Sequence, residues 1–303
     1  MGESPQDRHC KSRNRGTEPY FIRNNSYAID EILNPKQKEF TTLEKVLEIQ
    51  QGDPMTFEEA DALRGNPHYK EDEIYRVNCQ SCVVAYEMRR RGFDVEAFGN
   101  NTAGDCVPFL LSLKTQLAWL TKDGKIPDLI VCKSTVKNKT VDKRGYVRRT
   151  YTDNGEVWGE LMNKTSTPGR YHLKWGWLNK DKGHIITMET FADGKRRFYD
   201  PQVGLEATNI IPWFFKDRKC RVDMKAGIAA YRVDDLLPNA DVVRGVVKKA
   251  GSSASAPKAN AIQRKIFSKN ENKSHLTSAF DNNRLSDKKF QKSARNGKKS
   301  RLP

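Results

Sequence analysis

Apolar residues in the first third of the chain recur at helical spacing. Leu43, Val46 and Leu47 predict a short helix, and the segment Thr-Phe-Glu-Glu at 56–59 has the pattern of a capping box that opens a second one. Residues 107–120 are mostly apolar and predict a further, largely buried helix. The chain therefore opens on a helical region.

The strongest helical pattern covers residues 79–91, which contain neither glycine nor proline. Asn78 is a favourable N-cap residue and Gly92 a favourable residue after the last turn. We expect one apolar stripe to face inward, and the charged Glu87, Arg89 and Arg90 to face solvent.

The pattern then changes to that of β-strands. Residues 136–152 are polar and β-branched and suit an exposed hairpin or insertion, and residues 156–162, 171–178 and 228–233 suit strands. Residues 184–190 and 197–200 form a further hairpin around Asp193-Gly194. Helices followed by an antiparallel sheet predict an α+β fold rather than βαβ repeats.

Charge divides the chain unevenly. The 303 residues carry a formal charge of +16, and residues 243–303 hold sixteen basic side chains but only three acidic ones. We therefore expect a partly disordered lead with short helices at 1–60, a domain at 61–240 and a basic disordered tail at 241–303. Such a tail would contact nucleic acid or anionic surfaces without sequence specificity.

Several protein classes are disfavoured. No apolar run approaches the length of a membrane span, the N-terminus lacks a secretory signal, and six scattered cysteines do not form a disulfide scaffold. We expect a cytoplasmic or virion-associated protein, or one delivered to a target cell, with reduced cysteines and with neither metal nor cofactor.

One cysteine has the sequence context of a nucleophile. The N-terminus of a helix favours a thiolate, and Cys79 directly follows the N-cap Asn78. Its partner should be a histidine held by a carboxylate. His184 lies in a strong strand pattern, and Asp200 lies across the predicted turn, in the chain order of a papain-type thiol enzyme.

The hairpin register tests this pairing. A two-residue turn at Asp193-Gly194 would place Asp200 opposite Thr187, and His184 would then point to the other face of the sheet. A three-residue loop or a bulge would bring both side chains to one face. The hypothesis requires that extra residue.

These residues resemble a known family. Asn66-Pro-His-Tyr, residues 76–95 with their Asn-Cys-x-x-Cys helix, Gly183-His184 and the Asp200-Pro-Gln202 turn look like the papain-fold toxin domain (Tox-PL) over roughly residues 60–236. That family comprises glutamine deamidases of polymorphic bacterial toxins and is also found attached to phage minor head proteins.

The resemblance implies a papain-like fold, with Cys79 as nucleophile, His184 as base and Asp200 as the group that orients it. Gln202 would be a second polar group near the site, and Asn78 an oxyanion donor if its side chain is not used for capping. The implied partners are a target protein bearing a reactive glutamine and a cognate immunity protein.

Other interpretations stay open at this stage. Cys79 and Cys82 could be packing residues, Cys82 could be the nucleophile, or the two could form half of a zinc site that lacks a second pair. The same trio could cleave peptides or transfer amines. The domain could also be a non-catalytic part of a virion or a nucleic-acid-associated protein.

Overall fold

The computed structural model describes residues 43–101, 105–178, 180, 182–207 and 221–269. The expectations for residues 1–42 and 270–303 lie outside this part of the chain. Its α-helices are α1 Leu43–Leu47, α2 Ala62–Gly65, α3 Cys79–Arg90, α4 Val107–Leu113, α5 Asn154–Lys164, α6 Ala240–Val243 and α7 Ala261–Lys269. Short 3-10 helices cover Pro67–Lys70, Glu73–Arg76 and Thr115–Ala118.

The strands are β1 Val95–Ala97, β2 Trp119–Leu120, β3 Ile130–Cys132, β4 Val136–Val141, β5 Val147–Tyr151, β6 Gly169–Gly176, β7 Gly183–Thr190, β8 Arg196–Asp200, β9 Leu205–Ala207, β10 Ile228–Arg232, β11 Leu237–Pro238 and β12 Val247–Lys249. Six of them form one sheet, in the order β3-β10-β6-β7-β8-β9, and each neighbouring pair is antiparallel. The α+β class predicted from the sequence is confirmed.

Helix α3 is the centre of the helical half. Ten of its 12 residues are buried, so it is enclosed nearly all round rather than along one stripe. It ends at Arg90, and the expected Gly92 follows two residues later with a φ of +94°, which favours glycine. A Cβ there would also lie 2.2 Å from the carbonyl oxygen of Gly52.

Burial of α3 overturns one expectation about its charged residues. Glu87 and Arg89 do not face solvent but are 1% and 3% exposed. The carboxylate of Glu87 accepts hydrogen bonds from Arg91 and Arg170, at 2.8 Å from each Nε. Arg89 binds Asp94 and the Glu59 carbonyl oxygen. These charges are buried because each has an ionic partner.

Two further element predictions need correction. Residues 154–164 form helix α5 instead of a strand, because Asp153 and Glu156 make a reciprocal capping box and Val157, Trp158 and Leu161 bury one helical face. The helix expected over 107–120 ends at Leu113, and the chain continues through a 3-10 turn into β2. The 56–59 capping bonds do form, but they open only a single turn.

Residues 241–269 are not a tail. Strand β12 pairs with β1, and Val242, Val243, Val246 and Val247 are at most 1% exposed within the same core as α3. Helix α7 adds Ile266 and Phe267 to that core. The described residues beyond the predicted boundary at 240 therefore belong to the folded core, because the valines of this basic segment are buried.

The two faces of the sheet belong to two cores. One core joins α3, α4 and the C-terminal segment to Ile185 and Tyr231, and the other packs α5 against Trp175, Ile186 and Met188. Within the described residues, no helix combines the length and apolarity needed to cross a membrane.

Candidate active site

Cys79 is the first residue of α3 and is only partly buried. Asn78 is the N-cap of this helix, and its carbonyl oxygen accepts hydrogen bonds from the N–H groups of Ser81 and Cys82 at 2.9 and 3.0 Å. The N–H groups of Cys79 and Gln80 precede these first intrahelical bonds, so they carry the positive end of the helix dipole. The start of a helix is a position that favours negatively charged side chains in general.

His184 and Asp200 meet as the sequence hypothesis required. Thr187 pairs with Tyr199 and Thr190 with Arg196, and the Phe191 N–H donates to the Lys195 carbonyl oxygen, which leaves a three-residue loop. This register puts His184 and Asp200 on one face. His184 Nε2 lies 2.7 Å from Asp200 Oδ2, and both side chains are buried.

Tryptophans shield this ion pair from solvent. Trp177 stacks on the His184 ring at a centroid distance of 6.3 Å and an interplanar angle of 17°. Trp175 approaches the same ring edge-on at 5.5 Å. The bond between histidine and carboxylate therefore lies in a medium of low polarity, where it is strengthened.

The proton on His184 is held by its neighbours. Burial of the ring lowers its pKa, but the Asp200 carboxylate and then the Cys79 side chain, each through charge and hydrogen bonding, raise the pKa to about 10. At neutral pH the ring is thus an imidazolium that carries a transferable proton. Nε2 of the ring is the nitrogen bound to Asp200, and the Cys79 thiol also donates to Gln80 Oε1 at 3.6 Å.

A buried amide network ties the cysteine helix to the turn that carries Asp200. Asn78 Nδ2 donates to Asn66 Oδ1 at 3.2 Å and to the Phe98 carbonyl oxygen at 3.1 Å, and Gln202 Nε2 donates to Asn78 Oδ1 at 3.3 Å. Asn66 Nδ2 reaches the Gln202 carbonyl oxygen at 3.0 Å. These bonds fix the start of α3 against the β8–β9 turn.

This network corrects the role expected of Asn78. Its side chain makes no capping bond, which is the condition that the oxyanion hypothesis set. However, both amide protons are used within the network, and the residue is fully buried. Asn78 is therefore a positioning residue. Gln202 is also buried, and its backbone N–H donates to Asp200 Oδ1 at 3.0 Å, so it supports the carboxylate.

Cys82 lacks the setting of a nucleophile. It is 2% exposed, and its thiol donates to Asn78 Oδ1 at 3.2 Å. Burial, and then the charges of Cys79 and Asp200, raise the pKa of this thiol well above its usual range. The geometry favours Cys79 over the alternative nucleophile.

Some residues of the site carry no signal in the sequence. Trp175 and Trp177 pack on His184. His172 is buried, binds the Tyr231 hydroxyl at 2.9 Å, and has its pKa lowered by burial to about 3. Asn66 lies in the first motif of the resemblance, which was the one signal for its role.

The described cysteines, Cys79, Cys82, Cys106 and Cys132, are all free thiols. Among the residues that the structure describes, no three His, Cys, Asp or Glu side chains form a group that could hold a metal ion.

Comparison with known proteins assigns no family to the chain. No protein-family model matches it, and no curated protein matches it. The resemblance to the papain-fold toxin domain therefore stays a prediction that rests on the motifs at Asn66, Cys79, His184 and Asp200.

Proposed function

We propose that this chain is a thiol-dependent enzyme that deamidates glutamine side chains of target proteins, with a papain-like arrangement of Cys79, His184 and Asp200. The observation that carries the proposal is the buried contact of His184 with the Asp200 carboxylate at 2.7 Å, together with a cysteine at a helix N-terminus whose side chain interacts with the same histidine. A nucleophile, a proton carrier and an orienting group are the parts that such chemistry requires.

The first half-reaction forms a thioester. The Cys79 thiolate attacks the side-chain carboxamide carbon of the glutamine, and the carbonyl oxygen becomes an oxyanion. The His184 imidazolium gives its proton to the nitrogen, the carbon–nitrogen bond breaks, and ammonia leaves. Asp200 keeps the ring oriented and stabilises its positive charge.

The second half-reaction consumes water. His184, now neutral, removes a proton from a water molecule that attacks the thioester carbon. The carbon–sulfur bond breaks, glutamate is released, and the thiolate–imidazolium pair is restored. The oxyanion of each step is stabilised by the Cys79 backbone N–H at the helix N-terminus, since the Asn78 amide is used elsewhere.

The choice of glutamine deamidation rests on the motif resemblance, because the same trio supports peptide hydrolysis and amine transfer. The resemblance also proposes the setting: a toxin, an effector or a phage-associated protein, with an immunity protein as a second partner. A non-catalytic role would instead leave Cys79 inert toward substrates.

Mass spectrometry separates these outcomes. The full chain is incubated with a glutamine-rich protein such as casein, with and without a primary amine, and ammonia is measured in parallel. Deamidation raises the mass of a glutamine-containing peptide by about 1 Da with release of ammonia, and Cys79→Ala loses at least about 10³-fold of the rate. New peptide termini or incorporated amine would replace this proposal by proteolysis or transamidation.

A further inference from the structure

The hairpin of β4 and β5 is the most exposed element of the described structure. Every residue from 135 to 151 is exposed. Nevertheless its base is firmly attached: Ser134 Oγ donates to the Thr152 carbonyl oxygen at 2.6 Å, and Lys137 pairs with Glu156 of α5. We call residues 133–152 the arm.

The arm carries an unusual combination of side chains. It contains seven basic residues and a single acidic one, Asp142. It also holds five of the nine large apolar side chains exposed among the described residues, namely Val136, Val141, Tyr146, Val147 and Tyr151. Exposed apolar side chains concentrated in this way mark a binding surface.

One face of the arm combines both properties. Lys139 lies directly opposite Arg149, and Val141 directly opposite Val147. Because side chains alternate along a strand, these four share a face, whereas Thr140 and Arg148 point to the other. Like charges placed directly opposite each other destabilise a hairpin, so an acidic partner would relieve a cost built into this face.

The arm leaves the sheet at the same end as the candidate active site. Cys132, Ile228, Trp175 and His184 are paired in one row across four strands. Three strand spacings of about 4.8 Å place the base of the arm about 14 Å from His184, and the six residues of β4 extend about 20 Å further. A protein bound to the arm could therefore present a side chain to Cys79.

We infer that the arm is a docking site for the target protein, and that this target has an acidic surface with apolar side chains near its reactive glutamine. The inference rests on the proposed function. Nucleic acid fits less well, because a phosphate backbone would neutralise the basic side chains but leave Val141 and Val147 without a partner. Tyrosine and arginine are also residue types enriched in protein interfaces.

A pair of synthetic peptides tests the inference. One joins a glutamine-containing segment, through a flexible spacer of about ten residues, to a segment of alternating glutamate and leucine; such a spacer spans roughly 18 Å. In the other peptide serines replace the glutamates and leucines. Binding is followed by fluorescence anisotropy with the full-length Cys79→Ala chain, which keeps each peptide intact.

We expect K139E/R149E to weaken binding of the acidic peptide by about tenfold or more, and V141S/V147S to weaken it by several-fold. The control K195E/K249E changes the net charge equally at exposed sites off the arm and should stay within about twofold. Unchanged melting temperatures exclude unfolding as the cause. The serine peptide should bind weakly to every variant.

Equal binding by all variants overturns the inference. So does a duplex DNA of about 20 base pairs that displaces the acidic peptide and is insensitive to V141S/V147S, since this result assigns the arm to nucleic acid. Ammonia release by the active chain is measured separately. If neither peptide is deamidated, the proposed function fails, while the anisotropy result still decides the role of the arm.

Discussion

At the scale of single residues, the chemistry depends on how His184 is surrounded. Its ring is buried, which disfavours the charged form, but Asp200 and Cys79 outweigh burial and raise the pKa from 6.5 to about 10. An imidazolium that persists at neutral pH would be a ready proton donor for the ammonia that leaves in the proposed reaction. The consequences should appear in both activity and stability.

The pH profile of activity gives the first prediction. In the wild-type chain the alkaline limb of kcat/KM for ammonia release should fall near pH 10, where His184 loses its proton. Asp200→Asn removes the carboxylate, so the limb should move toward neutral pH and kcat should drop by roughly 10²–10⁴-fold. Asp193→Asn, an exposed carboxylate of the β7–β8 loop, is the control that should leave both unchanged.

The free energy of unfolding should depend on the protonation of the same histidine. Because the pKa of folded His184 exceeds its ordinary value of 6.5, its contribution is fully present below about pH 6.5 and is lost as pH rises to about 10. The free energy of unfolding, measured by urea denaturation, should therefore decline across this window. The decline should be smaller in Asp200→Asn, and an equal decline in both chains would contradict the assignment.

The two cysteines of α3 give a matched pair of substitutions. Cys79→Ala should abolish ammonia release, whereas Cys82→Ala should keep it within several-fold, since the Cys82 thiol is buried and bonded to Asn78. The loss of buried volume at Cys82 should lower stability by about 1 kcal/mol. The reverse ranking of the two activities would identify Cys82 as the nucleophile.

The sequence alone predicted Cys79, His184 and Asp200, but not the buried residues that hold them in position. Helix capping, strand pattern and motif order placed Cys79, His184 and Asp200, because each depends on local signals. The use of Asn78 in a network with Asn66 and Gln202 depends on contacts between residues up to 136 positions apart. No local pattern contains that information.

At the scale of elements, α3 is held in place by buried charged residues that the helical pattern alone predicted to face solvent. A pattern of solvent-facing charges assumes an outer helix, but α3 is enclosed by α4, the sheet and the C-terminal segment. Burial raises the pKa of Glu87, and the hydrogen bonds and charges of Arg170 and Arg91 outweigh it, so its pKa lies below the usual value. This carboxylate joins α3 to Arg170 of β6.

Removing the Glu87 carboxylate should lower the free energy of unfolding considerably. Glu87→Ala leaves two arginines without their buried partner, and we expect a loss of about 3 kcal/mol in the free energy of unfolding. Glu160→Ala removes an exposed carboxylate that pairs with Lys164 on α5 and should cost at most about 0.5 kcal/mol. Urea denaturation of both variants compares them, and equal losses would show that the Glu87 pairs contribute little.

The register of the β7–β8 hairpin shows what an element pattern leaves undecided. The alternation of apolar and polar residues identified both strands, but the sequence around Asp193-Gly194 is compatible with either a two-residue or a three-residue loop. Only the loop of three brings His184 to the face of Asp200, and the structure has it. The chemical hypothesis, rather than turn propensity, predicted the correct register.

At the scale of the whole molecule, part of the C-terminal basic region belongs to the fold. Residues 241–269 complete the helical core, although their charge suggested a tail. A chain ending at Asn239 loses the β12 partner of β1 and four valines, each worth about 1.5 kcal/mol when buried. Together these approach the entire net stability of a small domain.

We therefore expect a chain truncated after Asn239 to be insoluble or unfolded. A chain truncated after Lys269 should retain a cooperative thermal transition within a few degrees of the full chain. Circular dichroism during heating compares the two. A folded, active chain ending at Asn239 would contradict the assigned boundary.

The central claim is that Cys79 is an activated thiol held by His184 and Asp200. The most direct measurement is the rate of alkylation of each cysteine by iodoacetamide at about pH 7, resolved by peptide mass spectrometry. The account predicts that Cys79 reacts at least about tenfold faster than Cys82, Cys106 and Cys132, and that His184→Ala removes most of this difference. A Cys79 that reacts no faster than the buried cysteines, or at the same rate without His184, would contradict it.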